Sequence, residues 1–345
     1  MKFATRGSAI RLVILLSAIF AAGVTIWWEL IRMPGDSFSG PLPELTQDEQ
    51  RISEYLRRDV LQLTDFGQRN VVDLYALKTT ANWLDTEFSK VGYSVERQSY
   101  LIGNWSYDNV IAELPGGDRR EEIIIIGAHY DTAEDSKLQG TVGANDNASG
   151  VAGLLALART FIGTRPSRTI RFIAFVNEEP ASFKSEDMGS LVYARRAHEQ
   201  GDHIVAMISL ETIGYYSDEP GSQKYPLIFD QFYPDTGNFI GFVGNISSRK
   251  LVRESIALFR STATIPSQGL AAPEYIPGIG WSDHWSFWQV GYPGIMVTDT
   301  APFRYPHYHT PKDTPDKLDF ERMGRVVKGL EAMVRGLSGM KGNES

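Results

Sequence analysis

Residues 123–132 read Ile123-Ile124-Ile125-Ile126-Gly127-Ala128-His129-Tyr130-Asp131-Thr132. Four successive isoleucines leave no polar face, which predicts a strand covered on both sides, as inside a parallel sheet. The run ends in His129 and Asp131, and the carboxyl ends of strands are where open α/β sheets gather ligand-binding groups. Two further polar clusters follow in register. Gly143-Ala144-Asn145-Asp146-Asn147-Ala148-Ser149-Gly150 opens a small, apolar helix, and Asn177-Glu178-Glu179 follows the β-branched run at 169–176.

Outward from this centre, helical spacing of Ile52, Leu56, Val60 and Leu63 predicts a helix over 46–63, with Thr46 as cap and Glu49 three residues on. A second helix is predicted over 71–91, ended by Gly92. Strands are expected at 93–100, 108–114 and 123–126, with Pro115-Gly116-Gly117 as the turn between the last two. The order then becomes helix 148–161, strand 169–176, helix 188–199 and strand 204–210. Such alternation implies an α/β fold with a mostly parallel, mixed sheet and helices on both faces. Residues 213–238, rich in Tyr, Pro and Gly, read as an insertion or lid. Strands at 239–243 and 294–298 and a closing helix at 320–337 complete the expected domain over 46–340.

At 345 residues and a net charge of −8, the chain has no basic run to track phosphates, which argues against a nucleic-acid partner. It contains no cysteine, so a metal would be held by His, Asp and Glu. Lys2, Arg6 and Arg11 precede an apolar run over 12–31 that is interrupted only by Glu29. That length suits one N-terminal transmembrane helix, within a segment 1–32 of cytoplasmic N-terminus and membrane anchor. Ala21-Ala22-Gly23 also offers a signal-peptide cleavage site, in which case the protein is secreted. Basic residues cluster before the span, which places the remainder on the extracytoplasmic side, periplasmic or extracellular. Residues 33–45, rich in Pro, Gly and Ser, are expected to be a linker.

Among six histidines, His198 and His203 sit at a helix end and a strand start and read as surface or capping residues. His129 has Asp131 two residues away, where its carboxylate can orient the imidazole towards a metal. Asp146 is a candidate N-cap, but its small neighbours let backbone crowd close to a polar centre, which favours a carboxylate bridging two cations. Glu178 and Glu179 diverge in extended backbone, so one can bind a metal while the other reaches an attacking water. Glu211 ends another strand. His309 lies in Tyr308-His309-Thr310-Pro311-Lys312-Asp313-Thr314, a turn-rich loop, with His307 and His284 as alternatives in less suitable settings.

This constellation resembles the co-catalytic two-zinc exopeptidases, which include bacterial leucyl aminopeptidases, aminopeptidase Y and glutamate carboxypeptidase, with glutaminyl cyclases as mono-zinc relatives. The similarity covers residues 45–337. It implies two Zn2+ per chain: His129 and Glu211 on one, Glu179 and His309 on the other, and Asp146 bridging both. Glu178 takes the place of the general base for a metal-activated water, Asp131 supports His129, and Tyr308 matches a tyrosine that stabilises the oxyanion in some members. Many members carry Asp where Glu211 stands. A non-proline cis peptide after Asp146 is implied as well.

Trp281 and Trp285 flank Ser282-Asp283-His284, a segment similar to one that lines or supports the family's substrate cleft; Asp283, Trp281 and Trp285 are therefore candidate substrate contacts, against the alternative that the aromatics pack a short helix. The expected activity is an aminopeptidase acting on peptides. Two alternatives stay open, a glutaminyl-peptide cyclase and a catalytically inactive, membrane-tethered binding module. A carboxypeptidase would need arginines to hold a free carboxylate, and Arg304 is the one nearby candidate.

Overall fold

The computed structural model describes residues 6–134 and 140–340; Lys2 lies outside them. Helix α1 (Arg6–Ile26) runs on through a π-helical turn at Trp27–Ile31. Residues Ile10–Ile31 are long and apolar enough to cross a membrane, and residues 10–28 are exposed. There follow α2 (Gln47–Asp65), α3 (Leu74–Val91), β1 (Val95–Ile102), β2 (Trp105–Leu114), β3 (Arg119–His129), α4 (Gly150–Phe161), β4 (Arg168–Phe175), α5 (Gly189–Gln200) and β5 (His203–Glu211). The second half comprises β6 (Ile240–Gly244), α6 (Arg249–Arg260), β7 (Ser267–Ala271), α7 (His284–Trp288), β8 (Gly294–Thr298), α8 (Ala301–Arg304) and α9 (Phe320–Leu337).

The strands form one sheet in the order β1-β2-β4-β3-β5-β8-β6-β7. β4 and β5 flank β3 in parallel and β8 continues parallel to β5. β1, β2 and β6 introduce the antiparallel pairings that make the sheet mixed. The isoleucines of β3 explain its central place. Ile124 and Ile126 point into a core shared with α2, α4 and α9, and Ile123 and Ile125 into a second core with Tyr193 and Ala194 of α5 and Phe287 of α7. Burying each contributes roughly 1.5–3 kcal/mol, and because sides alternate, a one-residue slip would exchange the two cores.

Local signals set the helix starts. Thr46 and Glu49 form a reciprocal capping box on α2, with the Thr46 N–H donating to Glu49 Oε2 at 2.8 Å. α3 begins at Leu74, later than expected, because Asn70 Oδ1 accepts from the Val72 and Asp73 N–H groups and Asp73 then caps Ala76. The Pro115-Gly116-Gly117 turn does not join neighbours, since β4 inserts between β2 and β3. α6 and β7 were not among the expected elements. α6 carries a helical stripe at Leu251, Val252, Ile256 and Phe259. β7, Ser-Gln-Gly-Leu-Ala, has too little apolar alternation to signal a strand and is held by pairing with β6.

Candidate metal centre

The parallel strands deliver their polar ends to one edge. His129 ends β3 and Glu211 ends β5, while Glu178 and Glu179 follow β4 after Asn177 turns the chain at φ 60°. Asp146 arrives from the loop before α4, and the Asp146–Asn147 peptide is cis. His309, at φ 54°, comes from the loop before α9.

Asp146 sits between two groups. Its Oδ1 is 3.3 Å from His129 Nε2, which is also 3.2 Å from Glu211 Oε2. Its Oδ2 is 3.0 Å from His309 Nε2, which lies 3.3 Å from Glu179 Oε2. Each trio, His129–Asp146–Glu211 and Asp146–Glu179–His309, brings one donor atom per residue close enough to hold a single metal ion. Glu178 Oε2 stands 3.8 Å from His129 Nε2, beside the first trio. Asp131 places Oδ1 3.5 Å from His129 Nδ1 and accepts from the Glu179 N–H at 3.0 Å through Oδ2, which ties the two trios together.

Both oxygens of Asp146, Nε2 of both histidines and Glu179 Oε1 are buried with no hydrogen-bond partner among the described residues. Buried polar atoms are otherwise nearly always satisfied, and an imidazole and carboxylate donor set without sulfur suits a zinc-type or harder divalent ion. The residues therefore fit a metal pair.

The electrostatics match this view. Burial disfavours the charged His129 imidazole, yet the Glu211 and Glu178 carboxylates outweigh it and raise its pKa well above the ordinary value. His309 is likewise raised to about 11, against burial, by Glu179 and Asp146. Burial first, then the neighbouring Asp146, pushes Glu179 and Glu211 up to about 7. Glu178 is raised well above the carboxylate range by burial and by Glu211 and Glu179, with His129 opposing. Asp146 is held low by His129 and His309 although burial opposes its ionisation.

Several positioning residues carried no clear sequence signal. Asp313 accepts the Asn145 N–H at 2.8 Å and the Asp146 N–H at 3.0 Å, fixing the bridging loop, and also accepts the Tyr305 hydroxyl. Asp299, just past β8, accepts from Asn145 Nδ2 and the Gly214 and Tyr215 N–H groups. It is a strand-end acid, so the placement rule that singled out His129 reaches it too. Arg69 is fully buried and donates to the carbonyls of Tyr130, Val142 and Gly143, clasping the end of β3 to the Asp146 loop. Ser282 donates to Glu211 Oε2 at 2.7 Å.

Beside the centre lies a largely apolar cleft, open to solvent. Glu211 and Tyr308 border it on the metal side; Tyr225, Phe229 and Tyr233 of the 213–238 insertion and Trp281 form other walls. Tyr308 stacks on His309 with ring centroids 3.9 Å apart, and burial raises its pKa far enough to keep the phenol protonated. Of the three residues expected to touch substrate, Trp281 lines the cleft, stacked on Phe303. Asp283 and Trp285 do not line it. Asp283 is fully buried beneath the site, where burial pushes it up to about 7 with the His129 charge and then the Ser190 hydroxyl pulling the other way. The Lys184 ammonium lies over the Trp285 ring.

His284 is buried with Nε2 2.8 Å from the Ile279 carbonyl oxygen, and His307 packs on Tyr305; neither belongs to a metal trio. Arg304 directs Nε and Nη1 to Gln223 and the Phe239 carbonyl, fastening the insertion.

Comparison with known proteins places this geometry. The model of peptidase family M28 matches residues 109–334. The uncharacterized protein YfbL of Escherichia coli K12 is 40% identical over 282 residues, covering 80% of this chain and 86% of that protein. A probable leucine aminopeptidase 1 of Trichophyton verrucosum is 27% identical over 83% of this chain and 74% of its own length. Among solved structures, LapB of Legionella pneumophila superposes with a TM-score of 0.65 at 21% identity, over 92% of this chain and 81% of LapB. A glutaminyl cyclase of Fimbriiglobus ruber gives 0.60 at 20%, over 88% and 98%; at such identities the likeness is one of fold. The family match runs from β2 to α9 and takes in both metal trios, and the chain belongs to peptidase family M28.

Proposed function

We propose that the protein is a zinc-dependent aminopeptidase, holding two zinc ions and removing N-terminal residues from peptides. The observation that carries this reading is the placement of Asp146, whose two oxygens face two separate histidine–glutamate pairs at 3.0 and 3.3 Å. His129 and Glu211 would hold one ion, Glu179 and His309 the other, and Asp146 both. Bound there, the ions would supply Lewis-acid polarisation of the scissile carbonyl and acidify a water.

The protein's own groups supply the rest. Glu178 is near the first trio but in neither, and its burial gives it affinity for a proton. It acts as general base on the attacking water and returns the proton to the leaving amine. Asp131 keeps the His129 ring oriented, and Tyr308, protonated at the cleft border, donates to the oxygen that gains charge. The apolar cleft with Trp281 suits an apolar side chain of the residue to be released. The anchor reading of α1 puts the peptidase domain outside the cytoplasm, because basic residues precede the span.

Amino-acid release from aminoacyl-nitroanilides by the purified full chain tests this reading. Release that a chelator abolishes and zinc restores is expected. Cyclisation of N-terminal glutamine without release would replace it with a glutaminyl-peptide cyclase, and neither activity would leave the binding module.

A further inference from the structure

The stretch between membrane helix and domain is fastened along its length. Arg253 donates to the carbonyls of Trp28 and Arg32 at 2.8 and 2.7 Å, and Arg260 to those of Pro34 and Gly35. The Ser267 N–H donates to Ser37 Oγ, and Arg325 donates to the Pro43 carbonyl. Met33 is buried against Gly269 of β7, where a β-carbon would come within 2.7 Å of its Cγ. Leu30 packs on the main core.

These contacts have a direction. From Glu29 to Ser37 the chain climbs from the start of α6, where Arg249 lies 3.8 Å from Glu29, to its end at Arg260 and the start of β7. The membrane helix therefore leaves from the end of the sheet where β6 and β7 finish. Exposed there are Ile246, just after β6, and Lys250 in the first turn of α6. Arg249 adds a second cation, and Trp27 and Trp28 close the membrane helix with the Arg32 guanidinium 4.2 Å from the Trp28 ring centroid. Aromatic, aliphatic and basic side chains together are what a bilayer's headgroup layer accepts.

The metal trios sit at the opposite end. Glu211 pairs in register with Thr298, Thr298 with Gly241, and Gly241 with Gln268, near the start of β6 and β7. At ~3.3 Å per residue, the strands set the two ends on the order of 10 Å apart before any loop is counted.

We propose that Ile246, Arg249 and Lys250 rest on the headgroup surface of the bilayer that holds α1, with the fastened 27–43 segment as a post that turns the metal-bearing end away from the membrane. The substrates are then free peptides in the aqueous compartment. The proposal rests on the reading of α1 as an uncleaved anchor.

The chain has no cysteine, so single cysteines can be labelled cleanly. The full chain carrying Ile246→Cys, Phe20→Cys in α1, or Leu101→Cys on the opposite sheet edge is coupled to an environment-sensitive fluorophore. Each is placed in phosphatidylcholine–phosphatidylglycerol nanodiscs containing either a lipid quencher near the headgroups or one far down the acyl chain, with the thermal midpoint confirming folding. Expected is loss of most fluorescence at 246 with the headgroup quencher, at 20 with the acyl-chain quencher, and none at 101 with either. Quenching at 20 alone would overturn the proposal while leaving the anchor intact. No quenching at 20 would overturn the anchor reading and the proposal with it.

Discussion

Asp59 and Asp146 are hidden from solvent almost equally, 0% and 2% exposed, yet their surroundings are opposite. Asp59 accepts from Arg58 Nε at 2.9 Å and Nη2 at 2.7 Å and pairs with Arg159, which also reaches Glu87 at 3.1 Å. The chain supplies its own cations there. Around Asp146 the positive charge comes from the titratable imidazoles of His129 and His309, set among Glu178, Glu179, Glu211 and Asp131, while the buried Arg69 guanidinium faces carbonyl oxygens. Burying charge without a partner costs several kcal/mol per ion. One acid cluster is completed by fixed guanidinium charge, and the other by imidazole protons that the proposed zinc ions would replace.

The contrast breaks most visibly at Glu178. Glu178→Gln should lower turnover by ~10²–10⁴-fold, the usual worth of a general base, while bound zinc, read by elemental analysis, stays at the wild-type level. Most activity remaining would remove Glu178 from that role. Next in size, Asp59→Asn should destabilise the protein by roughly 1–3 kcal/mol, because the arginines lose a buried charged acceptor while Arg159 keeps Glu87. Denaturant unfolding should give the same loss with and without chelator, since no exchangeable ion serves that cluster.

A third effect lies in the pH response of the metal-free protein. His309, raised to about 11 despite burial by Glu179 and Asp146, holds a proton that the unfolded chain releases near 6.5. Its contribution to stability is complete below 6.5 and is lost as pH rises towards 11. Glu179 and Glu211, lifted by burial from 4.5 to about 7, keep protons that the unfolded chain has given up, so the metal-free fold also weakens between 4.5 and 7. The thermal midpoint of chelated protein should thus fall with rising pH over both windows, and zinc should remove most of the fall by taking the protons' place. A midpoint that rises with pH would contradict this.

Much of the candidate metal centre was legible because strand ends are punctuated. The four isoleucines before His129 and the β-branched run before Asn177 announce buried parallel strands, and the acids after them fall at the edge where such strands deliver ligands. The fold's outer half was harder to read. β7 carries no apolar period of its own and exists through pairing with β6, which no local pattern announces. Arg69 and Asp313 act on backbone carbonyls and N–H groups far away in sequence, so their roles arise only when the chain closes. The stretch after α1 reads as a linker by composition, but its carbonyls are satisfied by arginines more than 200 residues away.

The most direct test of the exchangeable-cation account is the zinc content of the purified full chain, by elemental mass spectrometry at saturating zinc and after washing. Two zincs per chain, lost together with peptidase activity on chelation, is the predicted result. A chain that stays fully active and equally stable with no bound metal would contradict it.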